Sequence, residues 1–188
     1  TASPGAANVS LLTEEFDGTN WSASPSPTVG DMNTARYGTM GGGTQTALIT
    51  AGGESPYFTA SEEYNGTAWT TVTALPAARG AGGVVGNSQT DFLVVSGNPV
   101  PVSTTSVLSY DGTNWSTSPA SVATAGAIMG AAKGAPTAGL IFQGSSRLQA
   151  TEEYNRSANV ITAGAWASGG ALGTTRYQCG TETTGTKT

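Results

Sequence analysis

The residues Glu14-Glu15-Phe16-Asp17-Gly18-Thr19-Asn20-Trp21 decide how the chain is interpreted, because closely similar residues return along it. The pattern recurs at residues 62–69 and 108–115, and its first half recurs at residues 152–155 with a delayed Trp166. Its aromatic anchors stand 48, 46 and 44 residues apart, as Phe16, Tyr64, Tyr110 and Tyr154. A period in the forties is typical of proteins that repeat one supersecondary unit.

Each full copy of the pattern has a tight-turn dipeptide at its centre, as Asp17-Gly18, Asn65-Gly66 or Asp111-Gly112. Asp or Asn before Gly is a strong hairpin signal, because these residues tolerate the positive φ angles of such turns. One carboxylate per turn is too few for a calcium site. We therefore predict a hairpin whose Asp or Asn side chain bonds its own turn backbone.

Two further strands are predicted in each copy. Residues 34–38 introduce a Gly-rich strand, and residues 45–50 form an apolar strand closed by Gly52-Gly53. The same order recurs from residue 77 and from residue 123, although the third copy lacks the arginine that the first two carry. Four short antiparallel strands, with glycine and an aromatic at fixed offsets, are typical of a β-propeller blade.

The predicted fold is all-β: a β-propeller of about four blades, each a four-stranded antiparallel sheet, in a single domain over residues 1–188. The predicted units are residues 34–76, 77–119 and 123–168, and a fourth made of residues 174–188 with residues 8–24. In that fourth unit, N- and C-terminal strands would share one blade and close the ring, which removes the open sheet edge. A closed four-bladed ring, and a fragment or protomer that needs further blades, both stay open.

Composition excludes several kinds of function. The net charge is -5 and the pI is about 4.5, so binding of nucleic acid through phosphate neutralisation is not expected. No apolar run approaches the length of a membrane span, so membrane insertion is not expected either. The chain has no histidine and a single cysteine, Cys179, which excludes imidazole metal sites and Ser-His or Cys-His nucleophiles. We expect no cofactor, no metal and no enzymatic activity.

The repeated acidic and aromatic residues have structural interpretations. Glutamate pairs such as Glu62-Glu63 point to opposite faces of a strand, so they cannot converge on one substrate as glycosidase acids do. The aromatics are predicted to pack between blades, although a sugar-stacking platform is the alternative. This set comprises Phe16, Trp21, Tyr64, Trp69, Tyr110, Trp115, Tyr154 and Trp166.

Three arginines occupy matching positions, and two of them precede a tyrosine: Arg36 with Tyr37, Arg79, and Arg176 with Tyr177. Guanidinium groups on one face or in a central channel could hold carboxylates or sugar hydroxyls, so these five residues are the candidate binding surface. In the alternative, each arginine satisfies backbone carbonyls or an acidic residue of the next blade.

The repeated glycines and aromatic residues resemble those of a known family. Glycine closing the second strand, an aromatic on the third and tryptophan on the fourth resemble the kelch repeat. The Thr-Glu-Glu-Tyr/Phe-Asp/Asn-Gly-Thr-x-Trp pattern, followed by Thr-Ala-Arg, further resembles kelch-like repeats in virion and tail-fibre proteins of marine bacteriophages. The Tyr-to-Trp interval is shorter than in the usual kelch pattern. Some kelch proteins are copper oxidases whose site includes histidine, which this chain lacks.

The resemblance implies a kelch-like β-propeller that serves as a structural or host-recognition part of a virus particle, such as a tail fibre, spike or capsid decoration. Its partners would be other virion proteins, or a glycan or protein of the host surface, and a homo-oligomer stays open. Its location would be the virion or the extracellular space. The alternative is a secreted or cell-surface kelch domain that binds carbohydrate or protein.

Overall fold

A computed structural model describes residues 10–24, 26, 29–54, 56, 58–98, 103–126, 129–130, 135, 137–143, 151–155 and 165–168. All helices and strands assigned within these residues are β-strands. They are β1 (Glu14–Phe16), β2 (Trp21–Ala23), β3 (Met40–Thr44), β4 (Ala47–Ala51), β5 (Ser61–Tyr64), β6 (Trp69–Val72), β7 (Gly83–Ser88), β8 (Asp91–Val95), β9 (Ser106–Tyr110), β10 (Trp115–Ser121), β11 (Met129–Gly130), β12 (Ala138–Gln143), β13 (Thr151–Asn155) and β14 (Ala165–Ser168).

Consecutive strands pair antiparallel into four sheets, which we number along the chain. The first sheet contains β1 and β2, the second β3 to β6, the third β7 to β10, and the fourth β11 to β14. The predicted all-β fold built from four-stranded antiparallel sheets is therefore confirmed. Residues 174–188, which we expected to complete the first sheet and close the ring, lie outside the described residues.

The repeated turns form as predicted. In the second sheet Tyr64 pairs with Trp69 across the turn, and Gly66 takes a φ of 94°. The side-chain oxygen of Asn65 accepts hydrogen bonds from the backbone N–H groups of residues 67 and 68, both at 2.9 Å. Asp17 and Asp111 accept equivalent bonds, and those from Asn20 and Asn114 contribute most to holding the pKa of each carboxyl below its ordinary value.

The hydrophobic core lies between neighbouring sheets. One buried cluster joins Ile49 and Ala51 of the second sheet to Phe92, Leu108 and Tyr110 of the third. A second cluster joins the opposite face of the third sheet to the fourth, through Val85, Leu93, Val95, Val107, Ile141 and Tyr154. Each four-stranded sheet thus buries one face against the sheet before it, and the second and third sheets also bury the other face against the sheet after.

Glycine lets the first two strands of neighbouring sheets approach closely. A methyl group on Gly42 would lie 2.7 Å from Cε2 of Phe92 and 3.0 Å from the carbonyl oxygen of Gly86, both in the third sheet. At the next interface, a methyl group on Gly139 would lie 2.6 Å from Cγ1 of Val85. Both distances are below van der Waals contact, so any larger residue here would push the sheets apart.

We predict that Gly42→Ala lowers the free energy of unfolding by about 1–3 kcal/mol, because the added methyl group overpacks the contact between two sheets. The matched control is Gly41→Ala on the same strand, where the methyl group would point away from the third sheet and meet Ile49 O at 3.3 Å. The control should change stability by less than about 1 kcal/mol. Urea denaturation measures both, and equal losses would contradict the sheet-on-sheet arrangement.

Candidate functional site

Arg36 lies in the segment before β3 and is buried, with 3% of its surface exposed. Its Nη2 donates to Oε1 of Glu62 at 2.8 Å, and its Nη1 donates to the carbonyl oxygen of Ala60 at 2.7 Å. Neither charged side chain is exposed to solvent. The ion pair therefore ties the segment before β3 to β5, within one copy of the repeat.

The carboxylate of Glu62 also caps the chain that leads into β3. It accepts the backbone N–H of Asn33 at 2.6 Å and that of Thr34 at 3.1 Å. Burial lowers the pKa of the Arg36 guanidinium, and the negative charge of Glu62 partly opposes that effect. Since both charges are paired and hydrogen-bonded to backbone, their burial is compensated inside the blade.

The other two copies each keep half of this arrangement. Arg79 occupies the place of Arg36, but Leu108 stands where Glu62 would be, and the guanidinium donates instead to Ser96 O, Ser106 O and Ser106 Oγ. Burial lowers its pKa. In the third copy Glu152 caps the N–H groups of Ala123 and Thr124, at 2.8 and 3.3 Å.

Gly126 occupies the arginine position of that third copy. Its carbonyl oxygen accepts the N–H of Gly97 at 3.0 Å, just as the carbonyl of Arg79 accepts the N–H of Gly53 at 2.9 Å. The arginine site and the glutamate site are thus separable elements of the repeat, and a copy folds with either one.

The expectation that Arg36 and Arg79 belong to an exposed binding surface does not hold, because both are almost fully buried. They instead satisfy backbone carbonyls, together with a carboxylate at Arg36, as the alternative interpretation had it. Their acceptors lie in the same copy of the repeat rather than in the next blade. Arg176 and Tyr177 lie outside the described residues.

The glutamate pairs serve two different contacts. Glu62 turns toward the first sheet and Arg36, whereas Glu63 turns toward the third sheet. Oε1 of Glu63 accepts the Tyr110 hydroxyl at 2.9 Å, and Oε2 accepts Nε2 of Gln89 at 3.3 Å. The prediction that paired glutamates cannot converge on one substrate is confirmed here, and the carboxylates hold the fold together.

Two of the repeated tryptophans also form hydrogen bonds across the interfaces between sheets. Trp69 donates from Nε1 to Thr13 Oγ1 of the chain beside the first sheet, at 2.8 Å. Trp115 donates to the carbonyl oxygen of Thr73, which follows the second sheet, at 3.0 Å. Each tryptophan therefore bonds to the chain of the preceding copy while its ring stacks on the tyrosine of its own hairpin.

Burial between sheets also raises the pKa of two tyrosines. Tyr64 is buried beside Glu15 of the first sheet, although the two groups do not form a hydrogen bond of normal geometry. Burial, followed by the contact with Glu15, raises the pKa of Tyr64 to about 12. Burial likewise raises the pKa of Tyr110, with further contributions from Glu63 and Asp111.

The predicted packing between sheets does not hold for every aromatic of the set. Tyr154 is buried against the third sheet, and Trp166 lies opposite it in the register of β13 and β14. Phe16 and Trp21, however, are 45% and 67% exposed. Their rings stack on each other, and no described sheet covers that face of the first sheet.

The two ends of the sheets differ. We call the end that holds the repeated turns the hairpin end, and the end where β4 continues to β5 and β6 to β7 the connection end. Tyr37 lies at the connection end and is 39% exposed, and its carbonyl accepts the N–H of the half-buried Glu54 at 2.7 Å. Asn98 lies at the equivalent place one copy later, where its Oδ1 accepts the Ser103 hydroxyl at 2.8 Å.

Two kinds of feature are absent from the described residues. No three of their histidine, cysteine, aspartate or glutamate side chains come together as metal ligands would. None of their helices is long and apolar enough to cross a membrane.

Comparison with known proteins supports the fold alone. No family model matches the chain, and no curated protein matches it. Among solved structures, the kelch-repeat β-propeller YjhT is similar, with a TM-score of 0.61 at 11% sequence identity. The match covers 78% of this chain and 54% of YjhT, so the chain spans about half of that protein. The kelch-like propeller fold is thus shown, and the phage likeness stays a prediction.

We predict that Arg36→Met lowers the free energy of unfolding by about 3–5 kcal/mol, because it leaves the Glu62 carboxylate buried without its counter-charge. Adding Glu62→Leu should recover part of that loss, since Leu108 shows that leucine fits the equivalent place. Urea denaturation of both single variants and the double variant measures the coupling. The matched control, Arg79→Met, should cost less because no buried carboxylate is left behind, and an equal loss would contradict the role given to the ion pair.

We predict that the tyrosines between sheets ionise late and make stability depend on alkaline pH. Their pKa is raised by folding, so their contribution is complete below about pH 10, the unfolded value, and is lost as the pH rises toward about 12 for Tyr64. Titration of tyrosinate absorbance, with circular dichroism to monitor folding, should show a late component that shrinks in Tyr64→Phe and in Tyr110→Phe. A single transition near pH 10, unchanged in these variants, would refute the prediction.

Proposed function

We propose that this chain is a non-enzymatic recognition module of a virus particle, such as a tail fibre, spike or capsid decoration. In this proposal it binds a host-surface glycan or protein through the connection end of its propeller. The observation that carries the proposal is the division of polar groups between the interior of the blades and the connection end.

The charged side chains best suited to chemistry are used inside the fold. Arg36 and Glu62 form an ion pair with each other. Arg79 and Glu152 form hydrogen bonds with backbone groups. Glu63 is bound by Tyr110 and Gln89 across an interface. These contacts favour a scaffold over a catalytic centre, because a general acid or base must reach a substrate proton.

The connection end offers what a binding surface needs. Tyr37 exposes an aromatic ring there, and tyrosine supplies a large, rigid contact area at low entropic cost. The half-buried Glu54 and Asn98 lie at matching places beside it and provide polar groups. The segments at residues 55–58, 98–102 and 145–148, which follow β4, β8 and β12 along the chain, differ in sequence between copies, and most of their residues lie outside the described part of the chain.

The virion assignment rests on the sequence likeness of the repeated hairpin and of the Thr-Ala-Arg segment to phage repeats. The alternative is a secreted or cell-surface kelch domain that binds carbohydrate or protein, and the same connection end would serve it. The genes beside the coding sequence distinguish the two: portal, tail-tube or capsid genes favour a virion part, and a cellular secretion context favours the alternative.

We predict that the purified chain binds at least one glycan or cell surface, and that Tyr37→Ala weakens this binding about tenfold or more, as expected for an aromatic contact residue. A glycan array followed by titration on the retained ligand or on whole cells measures the loss. The melting temperature of Tyr37→Ala is measured beside its binding, so that a loss of binding is distinguished from a loss of folding.

The matched control is Thr67→Ala, an exposed residue at the hairpin end. It should leave binding unchanged. Failure to bind any glycan or cell surface would overturn the recognition proposal. An equal loss of affinity in Tyr37→Ala and Thr67→Ala would contradict the placement of the binding surface at the connection end. Hydrolysis or oxidation activity that stays with the purified protein would overturn the non-enzymatic assignment.

A further inference from the structure

The face of the first sheet that points away from the second sheet is uncovered and carries three large apolar side chains, with the exposed Glu14 among them. Side chains alternate along β1, so Leu12 and Phe16 share a face with Trp21, whereas Thr13 and Glu15 turn toward the second sheet. The exposed fractions of Leu12, Phe16 and Trp21 are 59%, 45% and 67%. We call these three residues the aromatic end face. A cluster of large exposed apolar side chains of this kind commonly marks an interaction surface.

The same aromatic pair is covered in both sheets that follow. The ring centroids of Phe16 and Trp21 lie 5.2 Å apart with an interplanar angle of 36°. Tyr64 pairs with Trp69 at 5.0 Å and 36°, and Tyr110 with Trp115 at 4.9 Å and 37°. Both tyrosines are at least 97% buried under the preceding sheet, at 3% and 1% exposed. The aromatic end face thus has the geometry of a sheet interface without its partner.

The fourth sheet, which is the last of the described sheets, leaves uncovered the kind of aliphatic face that such an aromatic face packs against. Ile49 pairs with Glu63, Leu93 with Ser109 and Leu140 with Glu153 in the same register of their sheets. Ile49 and Leu93 are buried under the following sheet, at 0% and 1% exposed. Leu140, on the corresponding face of the fourth sheet, is 39% exposed.

The two end faces are therefore complementary and both open. The two interfaces between four-stranded sheets each place the aromatic face of one sheet on the aliphatic face of the sheet before it, which is a heterologous, head-to-tail contact. If the chain closed on itself, Trp21 and Leu140 would be covered, yet both are exposed. The matched part of this chain covers 54% of YjhT, so that propeller holds more blades than the matched part supplies.

We infer that two copies of this chain associate head to tail, with the aromatic end face of each on the Leu140 face of the other. This association buries both end faces in one ring and does not depend on the proposed function. Because Phe16 has no hydroxyl group, the contact lacks the hydrogen bond that Tyr110 makes to Glu63. The contact rests on the burial of Phe16, Trp21 and Leu140, so a glutamate in place of Trp21 or Leu140 should disrupt it.

The test measures the mass of the full chain by light scattering over a range of concentrations. The wild type should form a two-copy particle, and Trp21→Glu and Leu140→Glu should each weaken self-association at least tenfold. The two variants mixed together should form a dimer again, because the aromatic end face of the Leu140→Glu chain and the Leu140 face of the Trp21→Glu chain are intact. Recovery on mixing is specific to a head-to-tail contact.

Thr113→Glu, at an exposed turn of the hairpin end, is the control and should behave as the wild type. Leu12→Glu repeats the test on the aromatic end face should Trp21→Glu lose its circular dichroism spectrum. A wild type that is monomeric at every concentration would overturn the inference. A dimer that survives both variants, or variants that do not recombine on mixing, would overturn it as well.

Discussion

The fold depends on close contact between the faces of successive β-sheets, without helices to separate them. Within the first two strands of each sheet, glycine lets the backbone of one sheet contact a side chain of a neighbouring sheet, as Gly42 contacts Phe92 and Gly139 contacts Val85. At the last two strands, the Tyr–Trp pairs fill the wider space. Narrow contacts on one side and bulky rings on the other give each interface the shape of a wedge. Repetition of that wedge is what arranges sheets radially.

The buried arginine and glutamate positions also recur along the chain, but not every copy has both residues. Arg36 and Glu62 form a buried ion pair, whereas the next copy keeps the arginine and the third keeps the glutamate. Each half persists alone because it has backbone partners of its own: carbonyl oxygens for the arginine and N–H groups for the carboxylate. A buried charge with such partners costs far less than an isolated one.

The two ends of the sheets differ in how strictly the repeat is kept. At the hairpin end, Asp or Asn before Gly forms the same bonded turn in each full copy, which leaves little freedom for variation. At the connection end, Tyr37 is 39% exposed, and the sequences that follow β4 and β8 differ between copies. Polar residues along the strands, such as Glu63, join one blade to the next. A ligand that requires new contacts is therefore best accommodated at the connection end.

The sequence by itself determined the local structure: the hairpin turns, the order of the strands and the all-β class follow from turn chemistry and from a period in the forties. It also placed Glu62 and Glu63 on opposite faces, because alternation along a strand is a local property. Only the tertiary structure decided which repeated residues are accessible. Arg36 and Arg79 are buried and Phe16 and Trp21 are exposed, since burial depends on which sheet covers a face, and that contact joins residues a full repeat apart.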